Sequence, residues 1–67
     1  MDIRHRLGQN VRRLRKGLGI PQEELAERAN VHRTYVSDIE RGTRNPSIAV
    51  VDQFAKALGV APGSLLD

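Results

Sequence analysis

The chain has 67 residues, a net charge of +3 and no cysteine, so it can form only one small domain, with no disulfide framework or zinc–thiolate site. No apolar run approaches the ~18 residues of a membrane span, and the start lacks the apolar stretch of a signal peptide, so a cytoplasmic protein is expected. Residues 1–16 hold six Lys or Arg and one Asp, whereas residues 17–31 hold one Arg and three Glu. A basic face that meets phosphate explains this asymmetry, and so does a solvated surface that only keeps the protein soluble.

The N-terminal segment has the apolar spacing of a helix. A helix over about residues 3–18 is predicted by apolar residues that recur at helical intervals, Ile3, Leu7, Val11, Leu14 and Leu18. Gly19 is expected to end it in a left-handed conformation. Gly8 lies inside this helix, where it costs roughly 1 kcal/mol relative to Ala.

The next two predicted helices are short and joined by a tight turn. The first covers about residues 21–28, with Pro21 in its first turn because a residue there needs no backbone N–H. In the turn, residues 29–31, Asn30 is expected to be left-handed, a conformation that Asn tolerates better than most residues. The second covers about residues 32–40. The two helices would meet at Leu25, Ala26, Ala29, Val31, Val36 and Ile39.

A fourth helix is predicted after Ser47, a favourable N-cap residue. Its apolar stripe is Ile48, Val51, Phe54, Ala55 and Leu58, and Gly59 ends it. Pro62 opens a last short turn that carries Leu65 and Leu66. Since no strand pattern occurs and the connections are short, the sequence predicts a compact all-α fold with five helical segments.

The third predicted helix carries the residues of functional interest. Facing away from the helix crossing are Arg33, Thr34, Tyr35, Ser37 and Asp38. These donors, acceptors and one ring are suited to contacting base edges in a major groove of DNA.

Four of these five side chains have a second interpretation. Arg33 can bond guanine O6 and N7 together, or contact phosphates alone. Thr34 can contact a thymine methyl group, or it can simply help to start the helix. Tyr35 can contact a thymine methyl group, or its ring can fill part of the core. Asp38 can accept from cytosine N4, or orient Arg33 or Arg41 and disfavour wrong sites. Because it is anionic, it adds nothing to non-specific affinity.

Several motifs together resemble a known family. They are Arg15 before the corner Gly17-Leu18-Gly19, Gln22 with Leu25-Ala26, Ser37-x-Ile39-Glu40-Arg41-Gly42, Asn45-Pro46-Ser47, and Leu58-Gly59-Val60. On these residues, nearly the whole chain resembles the Xre-type helix-turn-helix regulators, the family of phage lambda-type repressors and Cro proteins. A shorter match, Arg33–Ser37 with Arg44-Asn45, resembles the controller proteins of restriction-modification systems.

The resemblance implies a lambda-repressor-like fold and a bacterial or phage-encoded regulator, more often a repressor, that associates with the nucleoid when bound. The third helix would enter the major groove of double-stranded DNA at an inverted-repeat operator. Base contacts are implied for Arg33, Thr34 and Asp38, with Tyr35 and Ser37 beside them. Backbone contacts are implied for Gln22, Arg41, Arg44 and Asn45, and an ion pair is implied between Arg15 and Glu40.

Three positions depart from the family pattern. Pro21 stands at an N-cap position that is usually Ser or Thr, and the lost cap is expected to cost about 1 kcal/mol. Asn30 replaces a turn Gly. His32 stands where Ser or Asp would cap the third helix, and it is expected to cap less well and to contact a phosphate when protonated.

The last helical segment and the corner between it and the fourth helix are predicted to support a weak homodimer. Of Leu65 and Leu66, one is expected to close the core over Phe54 and Leu58 and the other to meet a two-fold partner. The alternative is a monomer whose effector domain lies elsewhere.

The sequence has no nucleophile–base pair, phosphate-binding loop or metal-ligand spacing. We therefore expect no enzyme activity, no cofactor, no metal and no small-molecule substrate. The alternative function is a protein-interaction module, such as an antitoxin-like protein, that kept the scaffold and lost DNA recognition. The basic N-terminal segment together with Arg33, Arg41 and Arg44 favours DNA binding.

Overall fold

The computed structural model describes residues 2–67. The elements in chain order are α1 (Ile3–Gly17), α2 (Gln22–Ala29), α3 (Arg33–Arg41), α4 (Ile48–Leu58) and a 3₁₀ turn (Pro62–Leu65). The all-α prediction is confirmed, but the fifth segment is a single 3₁₀ turn, not a fifth α-helix. Its bonds span three residues, from Ser64 N to Ala61 O at 3.0 Å and from Leu66 N to Gly63 O at 3.1 Å, as is common in so short a segment.

The helix ends follow the local sequence. Asp2 caps α1 by accepting from Arg4 N at 2.9 Å, and Ser47 Oγ caps α4 by accepting from Val50 N at 3.2 Å. Pro21 is the N-cap residue of α2 and not a residue of its first turn, because its φ of −77° and ψ of 166° are extended, and it makes no side-chain cap bond. The left-handed conformation predicted for Asn30 is confirmed by its φ of 58° and ψ of 45°.

The core lies where the four helices and the 3₁₀ turn meet. Its buried members are Leu7, Val11, Leu25, Ala26, Ala29, Val36, Ile39, Phe54, Ala55, Leu58 and Leu65. Leu65 has no exposed surface, so Leu65 is the leucine that closes the core, and its place in a dimer interface is ruled out. The 3₁₀ turn directs Leu65 into the core, and only Leu66 offers apolar surface, with 39% of its area exposed. No helix within residues 2–67 is long and apolar enough to cross a membrane.

A glycine sets the distance between α1 and α3. A Cβ on Gly8 would lie 2.3 Å from the carbonyl oxygen of Ile39 and 2.9 Å from that of Glu40. Contacts this short do not occur for real Cβ atoms, so only glycine allows the backbone of α1 to approach α3 this closely. Its cost in helix propensity is therefore offset by packing.

Candidate nucleic-acid interface

α3 has one face in the core and one face in solvent. Val36 and Ile39 are buried, whereas Arg33 and Thr34 in its first turn are exposed. The Asn30 turn joins α3 to α2, and Val31 N donates to Ala26 O at 3.0 Å. The helical period places Thr34, Ser37 and Asp38 on the face opposite these two core residues.

A buried ion pair connects α3 to the rest of the domain. The side chain of Glu40 is only 2% exposed and that of Arg15 only 11%. Glu40 accepts from Arg15 Nε at 2.6 Å and Nη2 at 3.1 Å, and from Gln22 Nε2 at 3.1 Å. Arg15 Nη1 also donates to Ile20 O at 2.9 Å. The hydrogen bonds to Glu40 raise the pKa of Arg15, against the opposing effect of its burial. These bonds link α1, α2 and α3.

Gln22 occupies the start of α2, as the sequence predicted. Its amide nitrogen donates to Glu40, a contact that the family pattern did not suggest. Because a side-chain amide carries two N–H donors, one N–H remains for another acceptor.

α3 and the segment that follows it carry a cluster that we name the arginine clamp, defined as Tyr35, Asp38, Arg41 and Arg44. Asp38 forms ion pairs with Arg41 and, at 3.0 Å, with Arg44. The guanidinium carbon of Arg44 lies 4.4 Å from the centroid of the Tyr35 ring, within the range of a cation–π contact. Hydrogen bonds from Arg44 and Arg41 hold the pKa of Asp38 below its usual value. Asp38 therefore orients Arg41, one of the two arginines considered from the sequence, and also Arg44.

His32 is the N-cap residue of α3 and makes a side-chain cap bond. Its Nδ1 accepts from Thr34 N at 3.1 Å, so an imidazole nitrogen takes the place of a hydroxyl oxygen here. That His caps less well than Ser or Asp stays a prediction. An accepting Nδ1 leaves the ring proton on Nε2. Protonation of Nδ1 would remove this cap bond.

The remaining predicted contact residues lie around the same face. Arg33 is exposed and takes part in none of the ion pairs described within residues 2–67. Ser37 is half-buried on α3, and Asn45 is exposed in the connection to α4. Sequence reasoning missed the Arg44–Tyr35 stack, because Arg44 lies beyond the end of α3 where helical spacing no longer applies.

A second surface feature is an apolar patch, defined as Ile3, Ile48, Val51 and Leu66, which lines a groove. Ile48 is 89% exposed and Ile3 is 50% exposed. The groove is also lined by Asn45 and Pro46 from the connection between α3 and α4.

Residues 11–65 match the family model described as Helix-turn-helix. The chain belongs to the helix-turn-helix family of DNA-binding transcriptional regulators. It is 51% identical over 67 residues to the control protein C.BamHI of Bacillus amyloliquefaciens, an alignment that covers 98% of this chain and 83% of that protein.

Solved structures agree with this assignment. The restriction-modification controller protein C.AhdI from Aeromonas hydrophila superposes with a TM-score of 0.89 at 39% identity, over 92% of this chain and 94% of that one. The controller protein C.Esp1396I, solved as a tetramer in complex with its natural 35-base-pair operator, gives a TM-score of 0.88 at 31% identity, over 97% of this chain and 86% of that one.

Proposed function

We propose that this regulator recognises a specific DNA operator by inserting α3 into the major groove. The observation that carries the proposal is the division of α3 into two faces. Val36 and Ile39 are buried and Glu40 is paired with α1 and α2, while the first turn of α3 exposes Arg33 and Thr34. A rigidly held helix with free polar side chains at its N-terminal end fits the geometry of a recognition helix.

Within this proposal, Arg33 recognises a base. An arginine that donates to guanine O6 and N7 together provides about 1–3 kcal/mol of discrimination against another base. Arg33 is exposed and shares no ion pair among the described residues, which leaves its donors available. Thr34 and Ser37 lie beside it on α3 as further contacts to base edges or phosphates.

Backbone contacts then set the register of the helix on the duplex. Gln22 keeps one amide N–H free at the start of α2. Asn45 is exposed in the connection after α3. His32 at the N-terminus of α3 can donate to a phosphate through Nε2 while Nδ1 keeps its cap bond. Arg41 and Arg44 supply positive charge near the same surface.

We further propose that two copies associate through the apolar patch. Ile48 is almost fully exposed at 89%, and clustered apolar surface of this kind commonly marks an interaction site. A two-fold dimer that holds two copies of α3 about 34 Å apart, one helical turn of DNA, would recognise an inverted repeat. The relative C.Esp1396I, which binds its operator as a tetramer, supports assembly on DNA.

Sedimentation of the wild type and of Ile48→Ser tests the dimer. We expect concentration-dependent association of the wild type and weaker association of the variant, with an unchanged melting temperature since Ile48 is exposed. A wild type that stays monomeric at high concentration, with and without DNA, would contradict the dimer.

The bound dimer would act by occupancy, blocking or recruiting polymerase in the cytoplasm, more often as a repressor. The 51% identity to the control protein C.BamHI favours a role as the controller of a restriction-modification system. Transcription in vitro from the promoter upstream of its own gene tests this role. The protein is expected to change transcription from that promoter. If the protein neither protects the promoter DNA from cleavage nor changes its transcription, the controller role is contradicted.

Selection of binding sites from random double-stranded DNA, at two salt concentrations, tests sequence recognition. We expect an enriched inverted repeat that is relaxed at one position per half-site by Arg33→Ala, at a cost of about 1–3 kcal/mol. Arg12→Ala is the matched control, because Arg12 is an exposed arginine on α1. Binding without enrichment would contradict sequence recognition, and no binding by folded protein would favour the protein-interaction module.

A further inference from the structure

The arginine clamp places a carboxylate in the middle of the surface that would meet DNA. The Asp38 side chain is 17% exposed, whereas those of Arg41 and Arg44 are 63% and 45% exposed. The Asp38 carboxylate repels any phosphate that approaches this surface. A favourable role for Asp38 must therefore outweigh this repulsion.

Arg44 is held from several sides. Its Nη2 donates to Asp38 Oδ2 at 3.0 Å, and its guanidinium stacks on the Tyr35 ring. The Tyr35 ring in turn packs against Phe54 in the core, with 6.3 Å between ring centroids. Arg44 therefore rests on a surface that is continuous with the hydrophobic core.

The main chain of Asp38 holds the same segment in place. Its carbonyl oxygen accepts from Thr43 N and from Thr43 Oγ1, each at 3.1 Å. The residue before Arg44 is thus tied to α3 by two hydrogen bonds. Asp38 therefore binds Thr43 through its main chain and Arg44 through its side chain. These contacts together fix the direction from which Arg44 approaches a ligand.

We propose that Asp38 is a specificity-determining positioning residue, which keeps Arg41 and Arg44 from binding phosphates indiscriminately and presents Arg44 to DNA in one orientation. The inference rests on the proposed function, since it assigns a role within the same DNA-binding surface. Specificity is a difference between two affinities. A carboxylate that lowers the affinity for every sequence, yet orients an arginine for the operator, increases that difference.

Counterion release predicts how the salt dependence of DNA affinity changes when Asp38 is replaced. Each additional phosphate neutralised on double-stranded DNA makes the slope of log K against log salt more negative by about 0.9. Replacing Asp38 with Asn frees two arginines for phosphate contacts. At about 0.1 M salt, each extra phosphate contact raises the affinity for random duplex roughly eightfold.

The test compares Asp38→Asn, Asp38→Glu and Glu24→Gln with the wild type. Glu24 forms a single ion pair with Arg28 on α2, so Glu24→Gln makes the same change of net charge without touching the clamp. Binding is measured over a range of salt concentrations on duplex of random sequence and on the duplex pool enriched by the site selection. Thermal melting checks that each variant is folded.

For Asp38→Asn we expect tighter binding to random duplex, a steeper salt slope and at least a fivefold smaller ratio of operator to random affinity. Asp38→Glu retains the charge and is expected to restore most of the wild-type slope. Equal changes in both affinities, or the same loss of discrimination in Glu24→Gln, would overturn the role of Asp38, because the effect would then be one of net charge alone.

NMR of the arginine side-chain nitrogens examines the clamp without DNA. In the wild type, restricted rotation of the guanidinium groups of Arg41 and Arg44 is expected to give separate nitrogen signals. In Asp38→Asn these signals should average. Averaged signals in the wild type would overturn the proposal. A wild type that binds random duplex without sequence preference refutes the proposed function and, with it, the role of Asp38 in specificity. A wild type that recognises an operator, together with an unchanged ratio of operator to random affinity in Asp38→Asn, refutes the role of Asp38 alone. A wild type that binds no duplex refutes both.

Discussion

Removal of Arg15 should test how strongly the buried ion pair stabilises the domain. In Arg15→Met the carboxylate of Glu40, with a side chain only 2% exposed, keeps Gln22 as its remaining side-chain donor. Taking one partner from a buried pair costs about 3–5 kcal/mol, and the lost bond to the carbonyl of Ile20 adds about 1 kcal/mol. The bond from Gln22 and the partial exposure of the site lower this cost, so we expect a loss of about 2–4 kcal/mol.

This loss is large compared with the whole stability of the domain. At roughly 0.05–0.15 kcal/mol per residue, a chain of this length has a net stability of about 3–10 kcal/mol. Arg15→Met should therefore retain only a narrow margin of stability. Arg12→Met is the matched control, because Arg12 is exposed on the same helix, and its effect should be within about 0.5 kcal/mol.

Urea unfolding followed by circular dichroism measures these free energies. The double variant Arg15→Met with Glu40→Gln removes both charges, so it should cost clearly less than the two single changes added together, with a coupling of about 2 kcal/mol. If Arg15→Met changes the free energy of unfolding by less than about 1 kcal/mol, or if the two changes are additive, the assignment of a stabilising role to this pair is wrong.

The remaining predictions concern packing, burial and pH. Gly8→Ala should destabilise the domain by about 3 kcal/mol because its Cβ would meet the α3 backbone. Gly17→Ala, with no atom within 4 Å of its Cβ, should stabilise it by up to about 1 kcal/mol. Equal free energies of unfolding in urea for the two variants would contradict this prediction. Leu65→Ala should cost about 2–4 kcal/mol of stability, whereas Leu66→Ser should weaken self-association with little change in melting temperature. If the two variants melt at the same temperature, Leu65 is not a core residue. Hydrogen bonds from Arg4 lower the pKa of Asp2 from 3.8 to about 2. Since the pKa is lower in the folded state, the stabilisation by Asp2 is present above about pH 4 and is lost as pH falls toward 2; an NMR titration of its carboxyl carbon with a midpoint near 3.8 would refute this.

The sequence was sufficient to identify the exposed face of α3. Because α-helical side chains repeat every 3.6 residues, burying Val36 and Ile39 places Thr34, Ser37 and Asp38 on the opposite side. Arg33 lies at the flank of this face and is exposed in the first turn. The sequence offered Arg41 as a neighbour of Asp38 but did not predict Arg44. Arg44 follows the end of α3, where no period relates its side chain to the helix, so its stack on Tyr35 depends on the path of the connecting segment.

His32 shows the same limit at the other end of α3. Residue type alone suggested a weak cap, yet the side-chain rotamer places Nδ1 at 3.1 Å from Thr34 N. Whether a ring nitrogen reaches an N–H depends on a torsion angle that the local sequence does not specify.

The sequence by itself determined the four helices and the apolar stripe of each, because these depend on the backbone preferences and periodicity of residues close together in the chain. The left-handed Asn30 and the Ser47 cap belong to this group. Tertiary structure decided what depends on contacts between distant segments. Gly8 was unfavourable from helix propensity but is required where α1 crosses α3. Of two adjacent leucines, the 3₁₀ turn buries Leu65 and leaves Leu66 exposed, since only the packed core fixes which way that turn faces.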